Sequence, residues 1–372
     1  MRIISISEFA ALTFGMLLLS LYSIVGEGNT PILPIIGYVI LFASLIARFS
    51  WSNNSSVDYW VFSVLSLLVI VSTFYASFLT NNLSIKGSIG ILMGLFLYLA
   101  ASSYRSYQKL TKSLVIVLVV HVAAFYYQLI SFYFRGEYLD YLSIFNAEYA
   151  ARSEYHADNF TLQRFSGFFA EPAIYGYFIF MITAILVRSR EFSGKEYWLC
   201  VISIASMFAS LSISSVFLGA ILTGIILLNH KRRTLLLLLF FILAITSAIL
   251  PSDSIVFEYI ISRLFSPLDD PSGYARYGSF GSVLQTNGTE IMFGVGAGNY
   301  DNFSTTNNYL NIMQIFGIIG LGIFLVCFMV ASRFDAYTMF VVAISLLNGY
   351  VLTTLFWWVF LGLITRGIYH RC

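Results

Sequence analysis

Charge is scarce in this sequence. Asp, Glu, Lys and Arg together make up 10% of its 372 residues, against 59% hydrophobic residues and a mean hydropathy of +0.83. That scarcity excludes a soluble globule, because no fold of this length hides so much apolar surface from water. With a formal net charge of +2 there is no basic excess to bind nucleic acid either. Cysteine is almost absent, and Cys200, Cys327 and Cys372 have neither metal-ligand nor redox spacing, which leaves three free thiols and no disulfide framework. The first apolar run, Phe9 to Val25, has no basic segment before it beyond Arg2 and no small-x-small site after it, so it reads as a span and not as a cleaved leader. Repeats, linkers and low-complexity tails are missing too, and the chain reads as a single integral membrane domain over 1–372.

Apolar runs bounded by charge or turn residues predict an all-α polytopic membrane protein with about twelve transmembrane helices. They lie at 8–25, 31–49, 57–79, 85–102, 112–134, 170–187, 197–211, 214–229, 234–250, 308–331, 336–349 and 352–367. Two long apolar blocks are divided to reach that number. The division at Ser210-Leu-Ser-Ile-Ser-Ser215 rests on hydroxyls that can satisfy freed backbone groups, and the division at Asn348-Gly349 on turn residues. With both termini cytoplasmic, 14 of the 20 basic residues fall on the inner side. The remaining six are Lys86, Arg135, Arg152, Arg164, Arg263 and Arg276. All but Lys86 lie in two long outer loops, about 135–169 and 251–307, well beyond what joining adjacent helices requires. The aromatic content of 17% suits lipid contact and the two interfacial belts.

The chemistry-bearing residues concentrate in those loops. In Arg164-Phe-Ser-Gly-Phe-Phe-Ala-Glu171-Pro172 a cation and an acid stand at the mouth of an apolar segment, where charge at a bilayer edge is usually functional. Pro172 suits the first turn of a helix, where a missing N–H costs nothing, and that would hold Glu171 at the membrane surface. The same loop interleaves Tyr138, Tyr141, Phe145, Tyr149, Tyr155 and Phe160 with carboxylates and His156, a mixture that fits sugar rings or an amphipathic surface helix. In the second loop Gly294, Gly296 and Gly298 look like a phosphate loop only superficially, since no strand precedes them and no Lys-Ser/Thr follows. Asp269-Asp270 leads into Pro271-Ser272-Gly273 and reads as a turn, so no metal site and no cofactor is expected. His121, on an apolar helix, reads as an interior histidine, and Arg135 as an interfacial anchor closing its helix.

Three features together resemble a known family. They are Arg-x-Ser-Gly-Phe-Phe-x-Glu-Pro at 164–172, an Arg ahead of the Gly-x-Gly-x-Gly turn, and Asn-x-Tyr-Leu leading into Gly317-Ile-Ile-Gly320. Over roughly residues 150–330 the chain resembles the Wzy-type O-antigen polymerases of the O-antigen ligase and polymerase superfamily. The resemblance implies a GT-C-like glycosyltransferase of the bacterial inner membrane, multi-pass, with its active site facing the periplasm. Its implied reaction is polymerisation of lipopolysaccharide or capsule repeat units, moving a growing glycan from undecaprenyl diphosphate to the non-reducing end of another undecaprenyl-diphosphate-linked repeat. The implied partners are that lipid-linked oligosaccharide, the bilayer, a chain-length regulator and a flippase.

On this reading Arg164, Arg263 and Arg276 face the departing diphosphate, because guanidiniums bind phosphate oxygens bidentately and stay charged. Glu171 is the general base for the acceptor hydroxyl, displacement inverts the anomeric centre, and no metal takes part. Arg152, His156, Asn307, Asn308 and Tyr309 are the expected substrate-binding residues. In the ligase branch, which transfers finished glycan to lipid A core, the resemblance would put a histidine where this chain has Asn307. An amide cannot exchange a proton near neutral pH, and polymerase is therefore preferred over ligase. The other alternative, a flippase or transporter of lipid-linked oligosaccharide, would keep charge near the midplane of its bundle, where this chain has almost none beyond His121.

Overall fold

A computed structural model describes residues 2–21, 32–47, 49, 56–80, 85–104, 106–144, 154–157, 160–189, 194–229, 288–297, 308–347 and 354–366. The described residues are almost entirely helical: α1 (Arg2–Ser20), α2 (Ile32–Ile46), α3 (Ser56–Thr80), α4 (Lys86–Ser103), α5 (Tyr107–Arg135), the short α6 (Tyr141–Ile144), α7 (Pro172–Arg188), α8 (Gly194–Ala209), α9 (Ile213–Asn229), the short α10 (Gly288–Phe293), α11 (Asn308–Ala331), α12 (Ala336–Ser345) and α13 (Leu355–Arg366). A helix occupies eleven of the twelve segments that hydropathy singles out, and the other, 234–250, lies outside the described residues. By length and composition α3, α5 and α11 are long and apolar enough to cross a membrane, and several shorter apolar helices accompany them. Among the described residues one departure from an all-α chain is present. Strands β1 (Glu154–Ala157) and β2 (Phe160–Gln163) pair antiparallel within the first long loop, in the register Glu154 with Gln163 and Ala157 with Phe160.

By its internal packing the chain divides into two compact units, Met1–Leu19 with Gly37–Leu110 and Pro271–Cys372, and Ser20–Ile36 with Thr111–Asp270. In the first unit α13 packs along α4 and buries Trp357 and Trp358 completely, while α3 packs against both α4 and α11. Trp357 Nε1 donates to Ser345 Oγ at 2.9 Å, which gives a buried indole N–H its partner and ties α13 to α12. Helix ends that hydropathy assigns to the cytoplasmic side meet one another. Lys109 in the first turn of α5 pairs with Glu8 of α1 at 2.6 Å, Tyr104 at the end of α4 donates to the same carboxylate, and Phe49 just beyond α2 bridges to Tyr104. On the same helix α4, Tyr98 donates to Asp58 in the first turn of α3 at 3.1 Å, and the Ser102 carbonyl accepts from Arg366 in the last turn of α13 at 3.0 Å.

At the other end of this unit the glycines 294 and 296 find their explanation. α11 is broken at Gly317, whose backbone (φ 72°, ψ −177°) only glycine adopts without strain. Breaking a helix frees carbonyls that must be satisfied in an apolar setting. Val295 N donates to Gln314 O at 2.8 Å and Gly296 N to Ile315 O at 2.9 Å, so the chain after α10 closes the gap. Ala297 N continues the row by donating to Ser72 Oγ of α3 at 2.9 Å. A Cβ at Gly294 would overlap the Ile315 carbonyl, and one at Gly317 the Met292 carbonyl. These glycines let two backbones touch, and the N–H groups of Gly294, Val295 and Gly296 are already spent on carbonyls.

The second unit is built around α7, which is apolar all round and buried along nearly its whole length, as a helix of that kind must be. It packs against α8 and α9. Between those two, the serine cluster makes the turn that hydropathy alone does not show. Leu211 takes a left-handed φ of 55°, Ser210 Oγ donates to Met207 O at 2.7 Å, and Ser215 Oγ reaches Pro172 O at 2.7 Å.

Candidate functional site

The segment Arg164–Pro172 is an internal element of the second unit, laid along one face of α5. His121, Phe125, Gln128 and Phe132 recur at the i, i+4, i+7, i+11 spacing that lines up one side of a helix, and all four touch the segment. Gln128, 1% exposed, supplies the polar contacts. Its Oε1 accepts from Ser166 N at 3.1 Å and from Gly167 N at 3.0 Å, and its Nε2 donates to Leu139 O at 2.6 Å. Two N–H donors on one side and a carbonyl on the other admit a single orientation of that amide.

The chain at Ser166–Phe169 folds back tightly. Phe169 N donates to Ser166 O at 3.1 Å, and Ser166 Oγ donates to Phe169 O at 2.6 Å. Gly167 enters the turn at φ 57°, which favours glycine strongly and explains the Ser-Gly dipeptide. The phenylalanines then fill the space against α5 and α7. Phe165 meets Phe132 at 5.5 Å and Phe125 at 6.3 Å, while Phe169 stacks on His121 at 5.0 Å and meets Phe178 at 4.9 Å. Phe168 lies edge-on to His121 at 5.5 Å and 4.7 Å from Tyr141 of α6. Truncating either of the fully buried rings, Phe165 or Phe169, would cost about 3–5 kcal/mol. Tyr141 itself donates to Ala124 O at 3.0 Å. Burial, with a smaller push from Tyr127, raises its phenol to about 12, so it remains an O–H donor at neutral pH.

The two charged residues bracket this turn. Arg164 is 9% exposed, carried directly off the end of β2. Glu171 is half-buried and is the N-cap of α7, with extended backbone (φ −137°, ψ 141°), and Pro172 follows at the first helical position, as its fixed φ predicts. The Glu171 carbonyl accepts from Tyr175 N at 3.2 Å. Behind it, Tyr175 shares a 2.6 Å hydrogen bond with Ser206, so the start of α7 is pinned to α8 as well as to α9. A guanidinium withdrawn from water interacts with an anion far more strongly than one at an open surface. The helix start fixes the backbone of Glu171, and its side chain makes no capping hydrogen bond.

His156 lies on β1 opposite Thr161, eight residues ahead of Arg164. In the first unit Asn308 and Tyr309 open α11. Asn308 is fully buried, its N–H donates to Leu346 O at 3.1 Å and its Oδ1 accepts from Asn311 Nδ2 at 3.4 Å. Tyr309 donates to Ala343 O at 2.8 Å. Both contacts dock α11 on the end of α12. Arg152, Arg263, Arg276 and Asn307 lie outside the described residues. Sequence reasoning passed over Gln128, although a signal was present: along the apolar run of α5 it is one of the few polar side chains, and it stands seven residues from His121.

No protein-family model matches the chain, and a search of curated proteins finds no significant match.

Proposed function

We propose that this chain is a membrane-embedded glycosyltransferase that polymerises lipid-linked polysaccharide repeat units. It carries about twelve spans, both termini in the cytoplasm and two long loops in the periplasm, acting as one integral membrane domain. The observation that carries the reading is the built segment at 164–171: a buried Arg164, a turn held on α5, and Glu171 at the head of α7. A surface loop has no need of so much internal support. The meeting of Glu8, Tyr104, Lys109 and Phe49 supports the up-and-down order of the first spans, since the ends of α1, α2, α4 and α5 that meet there are assigned to the same side.

In the proposed reaction an acceptor sugar hydroxyl attacks the anomeric carbon of the growing glycan. The carbon–oxygen bond to undecaprenyl diphosphate breaks with its electron pair leaving on the diphosphate, and the hydroxyl proton passes to the Glu171 carboxylate. Attack from the face opposite the leaving group inverts the centre. Arg164 neutralises the departing diphosphate, and a fixed cation in a water-poor setting stabilises that charge without reorganising. Arg263 and Arg276 enter the proposal from the sequence alone, as further cations for the diphosphate, and Arg152, His156, Asn307, Asn308 and Tyr309 as contacts to the glycan or the lipid-linked substrate. The bacterial inner membrane is the implied location.

Deleting the gene in its host and running the lipopolysaccharide on a gel tests the reading. Loss of the ladder with one core-linked repeat remaining is the expected result. Core alone, with polymer accumulating on undecaprenyl diphosphate, would make the chain a ligase. Core with no lipid-linked repeat reaching the periplasm would make it a flippase.

A further inference from the structure

Gln128 stands out because nothing in an apolar helix calls for it. A buried carboxamide costs free energy unless its hydrogen bonds are made, and a leucine or methionine would fill the same space without that cost. Here every bond it makes goes to the segment leading to, or containing, the two charged residues. Leu139 O opens the first outer loop, and Ser166 N and Gly167 N lie in the turn between Arg164 and Glu171. The neighbouring positions on the same face of α5, Phe125 and Phe132, hold Phe165 by ring contact alone. Rings fix depth but tolerate sliding, whereas two N–H donors sharing one oxygen fix register.

We infer that Gln128 is the positioning residue that sets where Arg164 and Glu171 stand, acting through the Ser166–Phe169 turn and touching no substrate itself. The inference rests on the glycosyltransferase reading for what the positioning serves, but the mechanical part stands without it. Without Gln128 the two N–H groups lose their acceptor, the turn loses its register on α5, and the charged residues at its two ends drift. Misplacement of a reacting group by about 1 Å costs roughly 10²-fold in rate.

The test uses the full chain in nanodiscs, with its natural cysteines replaced and a cysteine at Ala170, which is half-buried just beyond the turn. Gln128→Met keeps length and bulk but removes all three hydrogen bonds, and Gln128→Glu keeps an acceptor oxygen towards both turn N–H groups. Labelling at position 170 by a small methanethiosulfonate reagent reports the turn. Extension of lipid-linked repeat extracted from a host strain lacking the chain reports kcat and KM. The expected result is that Q128M labels at least about 10-fold faster and loses about 10²-fold in kcat with KM little changed, while Q128E stays close to the parent in both. Q128M matching the parent in labelling and kcat, or Q128E failing as badly as Q128M, overturns the inference. Should Q128M not elute as a single species, Q128E decides: parent-like labelling with kcat within about 10-fold supports the role, and kcat lost at parent-like labelling overturns it. If the parent chain itself does not extend the repeat, the functional reading falls, and the labelling still tells whether Gln128 holds the turn.

Discussion

Replacing Gly317 by alanine tests the joint between α10 and α11 most directly. At φ 72° and ψ −177° a side chain is strained by about 1–3 kcal/mol before any contact is considered. The new methyl also overlaps the Met292 carbonyl, so the chain after α10 must back away from α11. Backing away opens the bonds from Val295 N to Gln314 O and from Gly296 N to Ile315 O, each worth about 0.5–1.5 kcal/mol. The combined loss is about 2–6 kcal/mol. Gly294→Ala strikes the same joint from its other side, through the Ile315 carbonyl. The double variant should therefore be little worse than the poorer single one, because one joint cannot be broken twice. Gly322→Ala, in the same helix with nothing near its added methyl, should be neutral or stabilising by up to about 1 kcal/mol. The assay is the fraction of monodisperse protein left after heating in detergent, read by size-exclusion chromatography. G317A surviving to the parent temperature, or losses that add fully in the double variant, would refute the reasoning.

Orientation is checked with single cysteines: those at Ser153 and Ser272 should label in intact spheroplasts with a membrane-impermeant maleimide, and one at Ser106 should not. Cys200 and Cys327 are buried, so only Cys372 needs replacing beforehand, and labelling at Ser106 would overturn the topology. Arg164→Lys and Arg276→Lys should each lose about 10²- to 10³-fold in polymerisation, since an ammonium cannot reproduce the planar fork on a diphosphate. A full-length ladder from either variant at normal expression would reduce that arginine to general electrostatics. Glu171→Gln should bind lipid-linked repeat normally yet extend it more slowly by about 10² or more. Near-normal polymerisation by the Gln variant, with Glu171→Ala poorly folded, would make Glu171 structural.

Much of the helix layout was legible because apolar runs of this length have few other destinations. Even the break inside 197–229 was readable from its hydroxyls, since Ser210 takes up the Met207 carbonyl at the turn. What stayed hidden depends on contacts between segments distant in the chain. The strands Glu154–Ala157 and Phe160–Gln163 are too short to show a period-2 pattern, although Asp158-Asn159 between them are good hairpin residues. The role of Gly294 and Gly296 is set by a helix break at Gly317, some twenty residues later, and no local pattern announces a partner at that distance. Arg164 and Glu171 were recognisable as a pair of interest, but that Arg164 is buried is read only once the loop is seen to fold back.

The length of α5 has a bearing on bilayer thickness. Its 29 residues make a rod of about 43 Å, against a hydrocarbon core of about 30 Å, so it must lean or protrude. A thinner membrane makes it lean further. Because the Arg164–Phe169 segment hangs on the stretch from His121 to Phe132, it travels with that rod. The depth at which Arg164 and Glu171 stand is thus geared to the lipid composition through one helix, and acyl-chain length becomes a dial on their position.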